Sequence, residues 1–257
     1  MKKFLFLLAA PLILCGCDQL TELSKQLGGD DKIAQYIVEN SEAWDDAWED
    51  MFFTNFTMDV QYSFHYEFNG QSVDYSVHNH LELDDNAILY QIDVDEPTEM
   101  GALYVGKEGD GWIALDYNPQ TQKYAEVNPL EGSIHGKGPF ESYQAFKDSL
   151  ASEATLSISF KSYYDKFTFD KEKNEYYCES IMFLDLNDEI YGTFNLAARK
   201  AHVKFEQGKL VSISAYYVGL ESEDDDPEQL FEEFGDTYHF DITKINKTVV
   251  AKPTNLE

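Results

Sequence analysis

The chain has 257 residues, of which 43% are hydrophobic and 15% aromatic, so it is long enough to bury a substantial core. Its 48 acidic residues outnumber 19 basic ones, and the formal net charge of −29 repels nucleic acid and anionic lipid surfaces. Arg199 is the single arginine, so bidentate clamps for phosphate have almost no donor. Nucleic-acid binding is therefore excluded, and the charge favours a basic protein as a partner.

The first sixteen residues are typical of an export signal. Lys2 and Lys3 precede an apolar run, residues 4–14, which is too short to span a bilayer. The small residue Gly16 then precedes Cys17, as expected at a cleavage site. These residues are compatible with two kinds of export signal: one cleaved before a cysteine that becomes lipid-modified, and an ordinary signal peptide in which the cysteines are incidental.

Residues 14–17, Leu-Cys-Gly-Cys, resemble the lipobox of bacterial lipoproteins. The resemblance implies that Gly16 is the last residue removed and that Cys17 becomes an acylated N-terminus, carrying palmitate-type chains. Cys15 fits less well as the modified residue because Leu14 before it is large. Removal of residues 1–16 takes away Lys2 and Lys3 and no acid, which changes the net charge from −29 to −31.

The resemblance also predicts where the protein resides. Residues 1–16 are expected to be the signal peptide, and residues 17–30 the lipidated N-terminus and a polar tether. The chain would then be anchored by lipid to the cell membrane on its extracytoplasmic face, which is the periplasmic face if the cell has an outer membrane. Two or more acyl chains hold such an anchor stably.

The body of the protein is predicted to begin with a helix that Asp31 can cap. Residues Asn40-Ser41 interrupt the pattern, and Ser41 is a candidate for a second N-cap. Trp44 and Trp48 are four apart and so share one helix face, which we interpret as a core-packing face. Apolar residues recur at helical spacing; they are Ile33, Tyr36, Ile37, Trp44, Trp48 and Met51.

The clearest structural pattern follows the helix. Apolar and polar residues alternate strictly over residues 56–68, then Asn69-Gly70 provides a type I′ turn, and the alternation returns over residues 71–83. A two-residue loop fixes the register so that paired residue numbers sum to 139. Met58 is then predicted to lie opposite Leu81, and Phe64 opposite Tyr75.

The same register places Asp59 opposite His80, with His78 two residues away on the same polar face. Two imidazoles and a carboxylate are metal-ligating groups, so Asp59, His78 and His80 are candidates for a metal site. We instead favour cross-strand hydrogen bonds and charge pairs, because three ligands on an open face leave a coordination shell incomplete. No metal or other cofactor is expected.

Further short strands are predicted along the rest of the chain, with a helix over residues 140–153 and a short acid-headed helix from Asp226 to Gly235. The acidic run 221–236 lacks the spacing of a calcium loop. Cys178 lies in a strand-like run without basic neighbours, which favours a buried structural thiol. The predicted strands cover residues 87–94, 102–105, 112–117, 124–127, 156–160, 176–186, 191–196, 211–218, 238–242 and 248–250, and residues 203–210 are predicted to form a tight hairpin that leads into the strand 211–218.

These elements predict an α+β fold that is mainly antiparallel β: a curved or half-barrel sheet with an N-terminal helix and one or two helices packed on it. Residues 31–257 are expected to form a single domain, in which residues 31–128 and 140–250 could be two diverged helix-plus-meander halves. Together with the lipobox, this order resembles half-β-barrel lipoproteins of the LolA and LppX type. Proteins of that type hold an acyl chain or lipid between sheet and helices, or act as envelope adaptors.

The resemblance implies a non-catalytic, monomeric binding protein for a hydrophobic ligand, such as a lipid or acyl chain, in a cavity between sheet and helix. Its ligand-contacting residues cannot be assigned from the sequence. The alternative is a structural or protein-interaction lipoprotein with a filled core. No nucleophile elbow, zinc-protease motif or cysteine–histidine pair indicates an enzyme.

Overall fold

The structure is a computed structural model that describes residues 40–49, 53–68, 71–95, 99–128, 160–188, 192–220 and 235–257, together with residues 139, 141, 142, 144, 145 and 231. The chain divides into two compact units, residues 1–35 and 36–257, and every described residue belongs to the second. In the described part, no helix is long and apolar enough to cross a membrane.

Several predicted elements lie outside the described residues. They include Gly16 and Cys17, the tether 17–30, the helical residues 31–39, and the turn Asn69-Gly70. Most of the predicted helices over 140–153 and 226–235 also lie outside, so these assignments stay predictions, as do the domain boundaries.

The described strands form one antiparallel sheet of eleven strands, in the order β6-β5-β4-β3-β2-β1-β11-β10-β9-β8-β7. Two meanders, β1–β6 and β7–β10, are joined through the last strand, which pairs with β1 on one side and β10 on the other. The strands are β1 Phe56–Phe68, β2 Gln71–Leu83, β3 Ala87–Val94, β4 Glu99–Glu108, β5 Gly111–Asn118, β6 Lys123–Val127, β7 Thr168–Asp170, β8 Glu175–Asp188, β9 Gly192–Glu206, β10 Lys209–Leu220 and β11 Asp236–Thr243.

Within the described residues, the α-helix α1 (Ser41–Glu49) packs on this sheet, and a 3₁₀ helix spans Lys161–Lys166. Asn40 caps α1, because its side-chain Oδ1 accepts a hydrogen bond from the Ala43 N–H at 3.0 Å. The prediction that Ser41 is the N-cap is therefore wrong by one residue. The predicted fold class, α+β with a mainly antiparallel sheet and a helix packed on it, is confirmed.

The β1–β2 hairpin has the predicted register in every pair. Met58 pairs with Leu81, and Asp59 pairs with His80. Because side chains alternate along a strand, this register fixes which residues share each face. We call the face on which α1 packs the inner face and the opposite one the outer face.

The inner face carries most of the core. Phe56 and Met58 of β1 and Phe240 of β11 are fully buried there, as are Trp44 of α1 and Phe160. Smaller apolar clusters lie on the outer face at each side of the sheet. One contains Ala102, Tyr104, Leu115, Tyr124 and Val250, and the other contains Ala197, Val218, Leu220 and Phe231.

The C-terminal tail was predicted to include a strand at 248–250, and this is wrong. Those residues form no strand, because their polar groups bond to side chains instead of a neighbouring ladder. The Val250 N–H donates to Asp84 Oδ2 at 2.8 Å, and the Thr248 N–H donates to Asn55 Oδ1 at 2.9 Å. Further on, Tyr124 of edge strand β6 exchanges backbone hydrogen bonds with residues 255 and 257. The tail thus covers an outer-face cluster and the β6 edge.

Two other strand predictions need correction. Phe160 was placed at the end of a strand, but it lies just before the 3₁₀ helix, while residues 156–159 are outside the described part. Strand β9 is one continuous strand and not two pieces. Its register shifts opposite Ser214–Tyr216. Lys200 adopts a positive φ of 51° there, so a bulge interrupts the expected alternation.

Cys178 is a buried thiol, as the sequence indicated. It is 4% exposed on β8, and its Sγ–H donates to the Ser180 carbonyl oxygen at 3.3 Å. Burial raises the pKa of this thiol, so the reactive thiolate is disfavoured. A packing role fits these observations.

Candidate functional site

The outer face carries His78, His80, His202 and His239 in two adjacent rows that cross the sheet. In one row, the pairing runs from His78 to Gln61 and His239, and then through Ser214 to His202. In the next row, His80 faces Asp59, which faces Asp241. Polar and titratable groups therefore concentrate in the middle of this face.

Asp59, His78 and His80 are brought together as their spacing predicted. Asp59 Oδ1 lies 3.0 Å from His78 Nε2 and 2.8 Å from His80 Nδ1. The hydrogen bond from His80 is the main cause that lowers the pKa of Asp59, against the opposing effect of burial. The hydrogen bond to Asp59 in turn raises the pKa of His80. The cluster is a half-buried, charge-coupled group.

A second histidine–carboxylate contact was not predicted. Glu175 of β8 is buried, and its Oε1 lies 2.9 Å from His202 Nδ1 and 3.6 Å from Lys173 Nζ. Its Oε2 lies 3.4 Å from Lys204 Nζ. Burial raises the pKa of the Glu175 carboxyl, but the bonds from His202 and Lys204 outweigh it, so the pKa is lowered from 4.5. The pairing of Tyr176 with Val203 and Tyr177 with His202 brings these groups together. The sequence alone could not indicate this pairing, because the register of β8 and β9 shifts between Phe183 and Leu186.

We expect Glu175→Gln to destabilise the protein by about 2 kcal/mol at pH 7, because charged partners lose a buried carboxylate. Since the folded pKa is lowered, the stabilisation by Glu175 is present above about pH 4.5 and is lost as the pH falls through the folded value. Urea unfolding at pH 7 and below pH 4.5 measures both effects.

The matched control is Glu172→Gln, which changes an exposed carboxylate in the adjacent turn. It should leave the free energy of unfolding unchanged. A Glu175→Gln effect of equal size at both pH values would contradict a role of the ionised carboxylate.

The inner face beneath α1 is filled with aromatic side chains. The Trp44 ring lies between 5.1 and 6.1 Å, centroid to centroid, from five other rings. The five rings belong to Trp48, Tyr164, Phe167, Tyr176 and Phe205. The Trp44 Nε1–H also donates a hydrogen bond to the Phe160 carbonyl oxygen at 3.0 Å. A ligand cavity directly under α1 is therefore not compatible with this packing.

The inner face is less closely covered further along strands β1–β4. In the row of Met58, Leu81 and Leu103, only Tyr90 is half-buried among the described residues of β1–β4. In the next two rows Val60 and Val77 are buried, whereas their described neighbours across β1–β4 are half-buried. Gly101 of β4 pairs with Ile92 and brings no side chain to this face. We call these half-buried residues the inner-face patch; they are Tyr62, Asn79, Tyr90, Ile92, Val94 and Gly101.

The inner-face patch contains one polar pair. The Tyr90 hydroxyl donates to Asn79 Oδ1 at 3.3 Å. Burial raises the pKa of Tyr90 to about 12, and the nearby Tyr62 contributes to the same shift. Tyr90 is thus a neutral hydrogen-bonding group within an apolar surface, an arrangement that is common in sites for amphipathic ligands.

The sequence indicated an aromatic inner face but not this patch. Asn79 breaks the alternation of apolar residues on β2, and that break was the available signal. What the sequence could not indicate is that burial decreases along the strands, because this depends on where α1 and β11 pack. Of the predicted site residues, Asp59, His78 and His80 are on the outer face, while Gly16 and Cys17 lie outside the described residues.

No family model and no curated protein matches this chain. Among solved structures, a similar one is a domain from Vibrio parahaemolyticus that is described as an outer membrane lipoprotein-sorting protein domain. The match covers 84% of this chain and 95% of that one, with 9% sequence identity and a TM-score of 0.24. A similarity this weak establishes neither the family nor the function, so the LolA/LppX resemblance stays a prediction.

Proposed function

We propose that this protein is a lipid-anchored envelope protein that binds an apolar ligand, such as an acyl chain, on the inner face of its sheet. The observation that carries this proposal is the inner-face patch, where an apolar surface is half-buried within an otherwise closed core. Contiguous apolar surface that a protein's own side chains leave partly accessible often marks a site for a ligand or a partner.

The chemistry of the patch favours a ligand with one polar group. Ile92 and Val94 supply aliphatic contacts, and Gly101 leaves space above the sheet opposite Ile92. The amide of Asn79 and the hydroxyl of Tyr90 supply hydrogen bonds without a charge. A fatty acid or a lipid has this combination of a long apolar part and a polar end.

The anchor is the second part of the proposal and rests on the lipobox resemblance. Cys17 is proposed to carry the acyl chains, after cleavage behind Gly16. Replacement of Cys17 by Ser in the full chain should abolish acylation and move the protein from the membrane fraction to the soluble fraction. Retention in the membrane fraction by this variant would contradict a lipid anchor at Cys17.

Ligand binding is tested with a protein of residues 18–257, which lacks both the signal and Cys17. We expect native mass spectrometry to show a co-purified apolar molecule, which solvent extraction removes and a fluorescent fatty acid replaces. Ile92→Glu places a carboxylate in the inner-face patch and should weaken binding of the fluorescent fatty acid at least about tenfold, because burial of the new charge is costly.

The matched control is Gln91→Glu, which places the same carboxylate on the same strand but on the outer face. Gln91 is also half-buried, so the two variants differ mainly in the face that they alter. Equal binding by both variants, or a wild-type protein that binds no fatty acid, would overturn the proposal.

An interaction role without a ligand is the second candidate. The close packing around Trp44 favours it, since that half of the inner face is already filled by the protein's own side chains. The net charge of −29 then favours a basic partner. Failure to bind fatty acid, combined with capture of a basic protein that is lost as salt rises, would support this candidate.

A further inference from the structure

The Asp59–His78–His80 cluster lies on the outer face, so it is separate from the inner-face patch. His78 and His80 are two apart on β2, and Asp59 pairs with His80 from β1. Residues two apart on a strand project the same way, which directs both imidazoles toward the carboxylate. Both strands belong to the middle of the sheet, so the backbone positions are fixed on either side.

The three side chains already have the spacing of ligands around one cation. The nitrogen–oxygen distances are 3.0 and 2.8 Å, and the three ligand atoms lie within 4.8 Å of one another. Zinc binds imidazole nitrogen and carboxylate oxygen at about 2.0–2.2 Å, so two ligand atoms on one tetrahedral zinc ion lie about 3.4 Å apart. The two nitrogen–oxygen distances are slightly shorter than this, and small side-chain rotations suffice to lengthen them. A cation could therefore enter the cluster without displacement of the backbone.

The Glu82 carboxylate holds the His80 ring in the orientation that a metal ligand requires. Its Nδ1 faces Asp59, while its Nε2 lies 3.6 Å from Glu82 Oε1. Metal-bound histidines commonly direct their other nitrogen to a carboxylate, which fixes the ring and its tautomer. Lys244 Nζ lies 3.9 Å from the same Glu82 oxygen and so restrains that carboxylate.

The contact between Glu175 and His202 provides a contrast within the same face. Its histidine–carboxylate distance of 2.9 Å is similar, but Lys173 and Lys204 also lie within 4 Å of that carboxylate. Two ammonium groups repel a cation. At Asp59 the added group is a second imidazole, and the Glu82 carboxylate lies behind His80. The ammonium group of Lys244 contacts only that outer carboxylate, so it lies further from the cation position.

We propose that Asp59, His78 and His80 form a binding site for a divalent transition-metal ion of the zinc class. The site has three protein ligands and leaves at least one position open, as in zinc sites that bind water or an exchangeable ligand. The side chains are 42% exposed for His78, 24% for His80 and 32% for Asp59, so that position faces solvent. Hydrogen bonding alone, without a metal, is the competing explanation.

The test is a titration of the protein of residues 18–257 with Zn²⁺, using a chromophoric chelator as competitor. We expect one Zn²⁺ per chain at a saturable site, while Mg²⁺ and Ca²⁺ fail to compete because they prefer oxygen ligands. Co²⁺ should report imidazole coordination through its visible absorption. This test does not involve the inner face, so its result is independent of fatty-acid binding.

Single substitutions with different expected losses of Zn²⁺ affinity test which residues form the site. His78→Gln and Asp59→Asn should each weaken Zn²⁺ binding by about 100-fold or more, and Glu82→Gln by about tenfold, as expected for an outer partner. The control His202→Gln removes a histidine from a carboxylate contact of the same length and should leave the affinity unchanged. Far-UV circular dichroism verifies that each variant is folded, and His78→Gln alters the most exposed member.

The proposal is overturned if Zn²⁺ binds no tighter than Mg²⁺, as expected for diffuse attraction to an acidic surface. It is also overturned if His202→Gln weakens binding as much as His78→Gln does. If Asp59→Asn fails to fold, His78→Gln still decides the question, because its side chain is outside the core.

Discussion

A chain that ends at Gly235 is expected not to fold. Such a chain lacks β11, which pairs with six residues of β1 and six of β10 and is the connection between the two meanders. It also lacks Tyr238, Phe240 and Ile242, all buried in the core. Burial of such side chains contributes about 1.5–3 kcal/mol each, before the lost ladders are counted. The total loss reaches the whole stability of a typical domain, about 5–15 kcal/mol.

Far-UV circular dichroism and urea unfolding test this expectation. The truncated chain should show no cooperative unfolding transition. The matched control ends at Val250, which keeps β11 and the contacts of Thr248 and Val250, and loses only the contacts of residues 251–257. It should fold with a loss of about 1 kcal/mol, typical of exposed hydrogen bonds and ion pairs. A cooperative transition in the chain that ends at Gly235 would show that the two meanders fold independently.

Trp44→Ala is expected to reduce the free energy of unfolding by about 3–5 kcal/mol, the range measured for large aromatic residues in cores. Trp44 has no exposed surface, and the substitution opens a cavity among five rings. It also leaves the Phe160 carbonyl oxygen without its indole donor. Since Trp44 packs α1 on the sheet together with Ala47 and Trp48, the helix should also lose part of its protection from hydrogen exchange.

Two conservative variants separate packing from hydrogen bonding. Trp44→Phe keeps much of the ring volume but removes the bond to Phe160, which should cost about 1–3 kcal/mol for an unpaired buried group. Trp48→Phe removes a buried indole N–H that has no acceptor among the described residues, so it should cost only the lost ring volume, which Trp44→Phe loses as well. If Trp48→Phe destabilises as strongly as Trp44→Phe, the hydrogen bond to Phe160 is not what distinguishes the two tryptophans.

Local patterns predicted local structure well in this protein. The alternation over residues 56–83 and the Asn-Gly turn gave the pairing of Met58 with Leu81 and Asp59 with His80, because turn and face patterns agree on one register. The bounds of β3 also follow from the sequence, as do the buried positions of Trp44 and Trp48.

The sequence did not indicate which strands pair when they are far apart in the chain. Tyr238, Phe240 and Ile242 alternate as a strand, but nothing in that alternation shows that the partner is β1, about 180 residues earlier in the chain. The contact of Glu175 with Lys204 depends instead on a register shift between the consecutive strands β8 and β9, which the sequence does not show either. Thr248 and Val250 have high strand propensity, yet their N–H groups donate hydrogen bonds to the side chains of Asn55 and Asp84. Tertiary contacts therefore override the strand propensity.

The lengths of the edge strands affect how readily the protein aggregates at high concentration. The two strands at the sheet's edges are the shortest of those described: β6 has five residues and β7 has three. The backbone of β6 is further occupied by the C-terminal residues that bond to Tyr124. Exposed edge strands are templates for pairing with another chain, and short, covered edges avoid this. The short edges of this sheet therefore disfavour edge-to-edge aggregation at high protein concentration.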